Sequence, residues 1–136
     1  LMALLTDVGT YLAAATVATA DLTLGTNLFL GREPDDPDTC VTLYETGGSA
    51  PDDTFGGDTA PSLENPSLQV RTRAAAYSTA QSLAVDVWAL LAKVINETLT
   101  STKYLKISPV QSPLALDRDD QDRMIFVCNF DVVKVP

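Results

Sequence analysis

Four aspartates crowd the segment Asp117-Arg118-Asp119-Asp120-Gln121-Asp122, and closely spaced carboxylates are what a calcium ion needs. A helix-flanked calcium loop also requires Gly at its sixth position and Glu at its twelfth, and those places hold Asp122 and Cys128. Arg118 and Arg123 flank the carboxylates and can pair with them. The stretch therefore reads as a solvated hairpin turn, with an adventitious cation site as the alternative. Catalysis has less to work with. The chain has no histidine, which removes the usual general base, the usual neutral metal ligand and every Ser-His or Cys-His pair. Gly47-Gly48 and Gly56-Gly57 lack the following Lys and helix entry of a phosphate loop. Cys40 and Cys128 have neither metal-ligand spacing nor a disulfide framework around them. Each falls in a strand-like run, where a free thiol acts as a small buried apolar group; a cross-strand disulfide is the other possibility. No catalytic, cofactor-binding or metal-binding residue is assigned, and an enzyme is not expected.

What remains is the chemistry of charge. Between Glu33 and Glu64 stand nine acidic residues and no Lys or Arg, which accounts for the whole net charge of −9. An acidic chain with pI about 4.2 is unsuited to gripping nucleic acid through its phosphates, although it can line a path that DNA slides along without sticking. Arg71 and Arg73 lie on the polar face of one strand pattern. They either face solvent or meet carboxylates of a neighbouring subunit, with Asp52, Asp53 and Asp58 as the candidates. The planar guanidinium fork suits such pairing, and unlike patches on two sides of one subunit allow head-to-tail ring closure.

The elements that position these groups follow from periodicity. At 136 residues, with 46% hydrophobic and 20% charged, the chain is expected to be one globular domain spanning 1–136. Its Leu- and Ala-rich start has no basic flank and is interrupted by Asp7, so it is not read as a leader or a membrane span. Leu1, Leu4, Leu5, Val8, Tyr11, Leu12 and Ala15 instead form one stripe of a surface helix. Thr23 to Leu30 reads as a strand, Asp35 to Asp38 as a turn, and Cys40 to Glu45 as a second strand. A long acidic loop is expected at about 46–66, a length that implies either reaching for a partner or disorder.

After Pro66, Leu68, Val70, Thr72 and Ala74 alternate with Gln69, Arg71 and Arg73. A helix from Tyr77 to Ile95 follows, with Trp88 in its buried stripe. Tyr104 to Val110, a short bridge at Leu114 to Leu116 and a long strand from Met124 to Val135 complete the chain. On that last strand Met124, Phe126, Cys128, Phe130 and Val132 share one face, while on the other Ile125 and Val127 give way to Asn129 and Asp131. The fold class is α+β: one mostly antiparallel, curved sheet with two helices packed on one face. The sequon Asn96-Glu97-Thr98 is a chance match at the end of the second helix.

Three of these pieces, in this order, carry a family resemblance. They are Val41-Thr42-Leu43-Tyr44-Glu45-Thr46-Gly47-Gly48, then Asn65 to Arg73 leading into the Tyr77 helix, and finally Arg123 to Val132. The order resembles the minor capsid or tail-terminator proteins of tailed bacteriophages with long non-contractile tails. That resemblance implies a curved sheet with two helices and a homo-oligomer, a hexameric ring. Such a ring caps the tail tube protein, stops polymerisation and offers a surface to the head–tail connector proteins. Genomic DNA would pass through it without specific binding, and no membrane is involved. The implied location is the virion, at the head–tail junction, after assembly in the bacterial host cytoplasm. No active-site residue comes with the resemblance. Two other readings stay open: a head-completion or neck ring, and a small acidic protein-binding module.

Overall fold

The computed structural model describes residues 4–17, 21–52 and 63–135. Two helices, α1 (Leu4–Ala14) and α2 (Tyr77–Ala92), pack on a seven-stranded sheet built from β1 (Leu28–Leu30), β2 (Cys40–Asp52), β3 (Leu63–Ala74), β4 (Ile95–Leu99), β5 (Thr102–Pro109), β6 (Leu114–Arg118) and β7 (Met124–Lys134). The strand order is β1-β2-β3-β7-β5-β4, with β6 paired to β7. Every pairing is antiparallel except that of β1 with β2. Strands β5 and β6 share the second edge of β7: β6 takes Met124 to Val127 and β5 takes Phe130 to Lys134. Helix α1 touches β1, β2 and β4, strands from both ends of that order, so the sheet curls around it. The α+β expectation holds.

The helices are positioned by their apolar stripes. Leu4, Val8 and Leu12 of α1 and Leu83, Val87 and Leu91 of α2 enter one core with Leu43, Leu68, Val70, Ile107, Phe130 and Val132. A spacing of four residues places each triplet on a single helix face. The start of α2 seals the sheet's far end, where Ala80 and Ala84 meet Ala74, Met124 and Phe126. Small residues there let the helix approach the strands closely. Cys40 and Cys128 are buried free thiols, and burial pushes the Cys128 thiol up to about 11. No helix among the described residues is long and apolar enough to cross a membrane.

Several boundaries differ from expectation for local reasons. The first strand is only Leu28–Leu30, because residues 25–27 form a turn. Gly25 adopts φ +83° there, and its amide donates to the Leu28 carbonyl at 2.9 Å. The second helix stops at Ala92 rather than Ile95. Val94 donates to Leu91, then accepts from the amide of Ile107, which turns the chain into β4. That strand was not anticipated, and the sequon lies in it rather than at a helix end. Trp88 is only half buried; its indole N–H donates to the Gln111 carbonyl at 3.2 Å. On β7 the second face is half covered, as expected, with Ile125 and Val127 buried, Asn129 partly buried and Asp131 exposed.

The largest difference concerns the acidic segment. Wherever it is described, the expected loop at 46–66 is strand: β2 runs to Asp52 and β3 begins at Leu63. The two form a hairpin whose register continues through Gly48↔Pro66, Ser49↔Asn65 and Asp52↔Leu63. A turn-rich composition hid the strand, because Gly, Ser, Pro and Asp signal loops when read alone.

Candidate assembly surface

The hairpin forms an arm. β1 covers β2 only as far as Leu43, so the outer backbone edge of β2 from Tyr44 onward has no partner strand among the described residues. Residues 45–50 are exposed. Two bulges bend the arm, one between Glu45 and Gly48 and one between Ser49 and Asp52. Gly48 is needed at the first: its φ is +131°, and a Cβ there would stand 2.2 Å from the Asn65 carbonyl oxygen. Asn65 Nδ2 donates to the Ala50 carbonyl at 2.9 Å and ties the two strands together. Of the three acidic residues expected to reach a neighbour, Asp52 ends β2, and its side chain lies outside what the structure describes. Asp53 and Asp58 also lie outside the described residues.

Arg71 and Arg73 are placed differently from their expected role. Arg73 is 2% exposed. Its guanidinium donates to the carbonyls of Asp38 (Nε, 3.3 Å), Asp35 (Nη2, 3.3 Å) and Pro37 (Nη2, 2.6 Å), and Nη1 lies 3.6 Å from Glu33 Oε1. A chain segment without regular structure, residues 33–38, thus lies across the sheet face opposite the helices, and Arg73 holds it there. Arg123, the residue just before β7, holds the same segment. It donates to the Asp35 carbonyl and to Asp38 Oδ1 (3.3 Å), while its Nε meets Asp119 Oδ2 at 2.8 Å. The expectation that Arg73 serves a neighbouring subunit is therefore redirected, because its donors are committed within its own chain. Arg71 is partly available. Its side chain is 28% exposed, and Nη2 reaches Glu33 only at 3.9 Å.

The aspartate-rich turn between β6 and β7 is a self-satisfied hairpin. Asp119 accepts from the amides of Gln121 (3.0 Å) and Arg123 (2.9 Å) as well as from the Arg123 side chain. Desolvation works against the charged form, yet these donations win and hold the Asp119 carboxyl below its usual range. Arg118 donates to the carbonyls of Ala75 and Asp122. Among the described residues no group of three His, Cys, Asp or Glu side chains could hold a metal ion.

Sequence reading missed a polar chain at the root of the arm. Lys134 is 1% exposed and meets Glu64 Oε1 at 2.8 Å, at the point where β3 leaves the arm. Its ammonium also lies 6.0 Å from the centre of the Tyr104 ring. The Tyr104 hydroxyl donates to Asp7 Oδ2 at 2.8 Å, and Asp7 on α1 is 3% exposed. Burial first, then the Asp7 hydrogen bond and the negative field of Asp7, Glu45 and Glu64, raise the Tyr104 hydroxyl well above its ordinary value, so it stays a donor. A cavity of about 250 Å³ beside this row is lined by Leu4, Glu45, Ser49, Glu64 and Lys134. The only sequence signal was a lone Asp in an apolar helix face, which on its own points to no partner.

Comparison with known proteins places this architecture. Residues 11–136 match a family model described as bacteriophage tail terminator protein. No curated protein matches the chain. Among solved structures, a chain from the "Virion of native gene transfer agent (GTA) particle" superposes with a TM-score of 0.67 at 20% identity, covering 98% of this chain and 95% of that one. At that identity the likeness is one of fold.

Proposed function

The chain belongs to the bacteriophage tail terminator protein family, and from that membership we propose that it forms a ring at the head-proximal end of the tail tube. There it stops tube polymerisation and joins the tail to the head connector. Family membership makes the protein a structural component of the virion, in association with other virion proteins. The ring, its hexameric count and its position are the proposed steps. The observation that carries them is the match over residues 11–136, which spans the whole sheet, α2 and the arm.

The physical features agree with this role. Between Glu45 and Glu64 the sequence holds five acidic residues and no basic one. A hairpin that leaves the body with one edge unpaired is suited to contact another chain. We assign Asp52, Asp53 and Asp58 to that contact, with Arg71 at its rim. Six copies, each with a net charge of −9, carry about −54, so a channel through them repels the DNA backbone and lets the genome pass.

Imaging of intact particles tests the proposal. The protein should appear as a ring between tail tube and head, and particles made without it should have tails of uncontrolled length. Mass spectrometry of separated heads and tails adds a second check. The protein should travel with tails, and recovery on tailless heads would favour a neck or head-completion ring instead.

A further inference from the structure

One buried acid in the polar row lacks a charge partner. Asp7 is 3% exposed, and an aspartate that deep in a fold is ordinarily paired with a cation. No ion pair among the described residues includes it. The Tyr104 hydroxyl is the one donor that those residues give its side chain, whereas a carboxylate can accept several. Lys134, the cation of the same row, is engaged by Glu64 at 2.8 Å.

Asp7 also lines a second cavity, of about 300 Å³, between α1 and the turn from β4 to β5. With Thr10, Tyr11 and Ala14 it makes one wall, because spacings of three and four residues share a helix face. Thr98, Leu99 and Thr100 make the other. The Tyr11 hydroxyl donates to the Leu90 carbonyl at 3.2 Å, which fixes the ring as part of the wall. Burial first, then the negative charge of Glu97, raises that hydroxyl above its ordinary value. A second carboxylate therefore acts on this groove, and no basic residue lines it.

A buried carboxyl in the wall of a narrow, partly apolar groove selects its ligand by chemistry. A metal ion needs a shell of oxygens that this lining lacks, and no metal-holding group occurs among the described residues. A primary ammonium on an alkyl stem supplies both parts: the stem lies against Tyr11 and Leu99, and the ammonium meets the carboxyl. The threonine hydroxyls can accept its remaining donors. β4 ends the strand order, so its outer backbone edge has no partner strand among the described residues, and Ile95 to Thr98 are exposed. An extended segment laid along that edge delivers a side chain beside Thr98 and Leu99, an advantage that a free amine does not have. We infer that the groove between α1 and the β4–β5 turn binds a lysine side chain presented by another chain of the virion, with the Asp7 carboxyl as its counter-ion. This site depends neither on the ring nor on the arm.

Titration of the labelled protein with Nα-acetyl-lysine methylamide, followed by amide NMR shifts, tests this. Shifts should concentrate at Thr10, Tyr11 and Thr98 to Thr100. The norleucine analogue, which keeps the stem and lacks the ammonium, should bind about tenfold more weakly. Asp7→Asn keeps an acceptor for Tyr104 and removes the charge, so it should weaken lysine-amide binding by a similar factor. Ala14→Leu, at an exposed position, narrows the groove and should suppress the shifts while the rest of the spectrum stays as in the wild type. That variant decides the matter if Asp7→Asn fails to fold. Shifts scattered over the surface, equal binding of the norleucine analogue, or a response that survives the substitutions overturns the inference. Tighter binding of cadaverine than of the lysine amide overturns the protein source, since the groove would then take a free amine.

Discussion

Arg73 shows how one side chain can be read correctly by type and wrongly by partner. A guanidinium on a polar strand face is a sound candidate for a carboxylate of another subunit. Here it instead satisfies three backbone carbonyls and approaches Glu33 in its own chain. Arg73→Glu should therefore lower the unfolding free energy of the monomer by about 3–5 kcal/mol, because it leaves buried carbonyls facing a carboxylate. Arg71→Glu, at a partly exposed site, should cost about 1 kcal/mol or less. Urea denaturation of the two variants checks the contrast, and equal midpoints would contradict the clamp. The buried row at the arm's root gives a second expectation. Tyr104→Phe removes the donor to Asp7 and should cost about 1–3 kcal/mol. In combination with Asp7→Ala the losses should not add, which a double-mutant cycle by denaturation measures.

Among the elements, helix α2 and the arm respond to different rules. The helix is held by side chains that reach the sheet, so Leu91→Ala should cost about 2–5 kcal/mol by opening a cavity in a fully buried site. Trp88 lies at the margin with one hydrogen bond to Gln111, so Trp88→Phe should cost about 1 kcal/mol. Thermal or chemical unfolding ranks the two. The arm is held by backbone geometry instead. Gly48→Ala forces a Cβ against the Asn65 carbonyl, so the hairpin should lose amide-exchange protection at residues 45–50 while β7 and α2 keep theirs. Uniform loss of protection across the sheet would show that arm and body unfold as one unit.

For the whole molecule, charge placement matters more than net charge. An excess of nine negative charges would by itself predict mutual repulsion between copies. The structure divides the basic residues: Arg73, Arg123 and Lys134 are buried and paired within the body, while Arg32, Lys93, Lys103 and Lys106 are exposed. If contacts between copies pair those exposed basic residues with acidic ones, association should tighten as salt is lowered despite the shared negative charge. If net repulsion dominated, association would instead strengthen with added salt. A sedimentation-velocity series run from low to high ionic strength tells the two apart.

How much of this was legible beforehand depends on the range of the interactions involved. Helix α1, the core stripe of α2 and the inward face of β7 are written in local periodicity, since burial on one face repeats every 3.6 or 2 residues along the chain itself. The acidic bias and the absence of histidine were equally plain in composition. Other features depend on which distant residues the topology brings together: the clamp of residues 33–38 by Arg73 and Arg123, the Asp7–Tyr104 and Glu64–Lys134 contacts, and the pairing that turns residues 46–52 into strand. A linear pattern does not specify the partner of a polar group. Only the folded sheet, by setting strand order and register, decided which charges were spent inside and which were left facing outward.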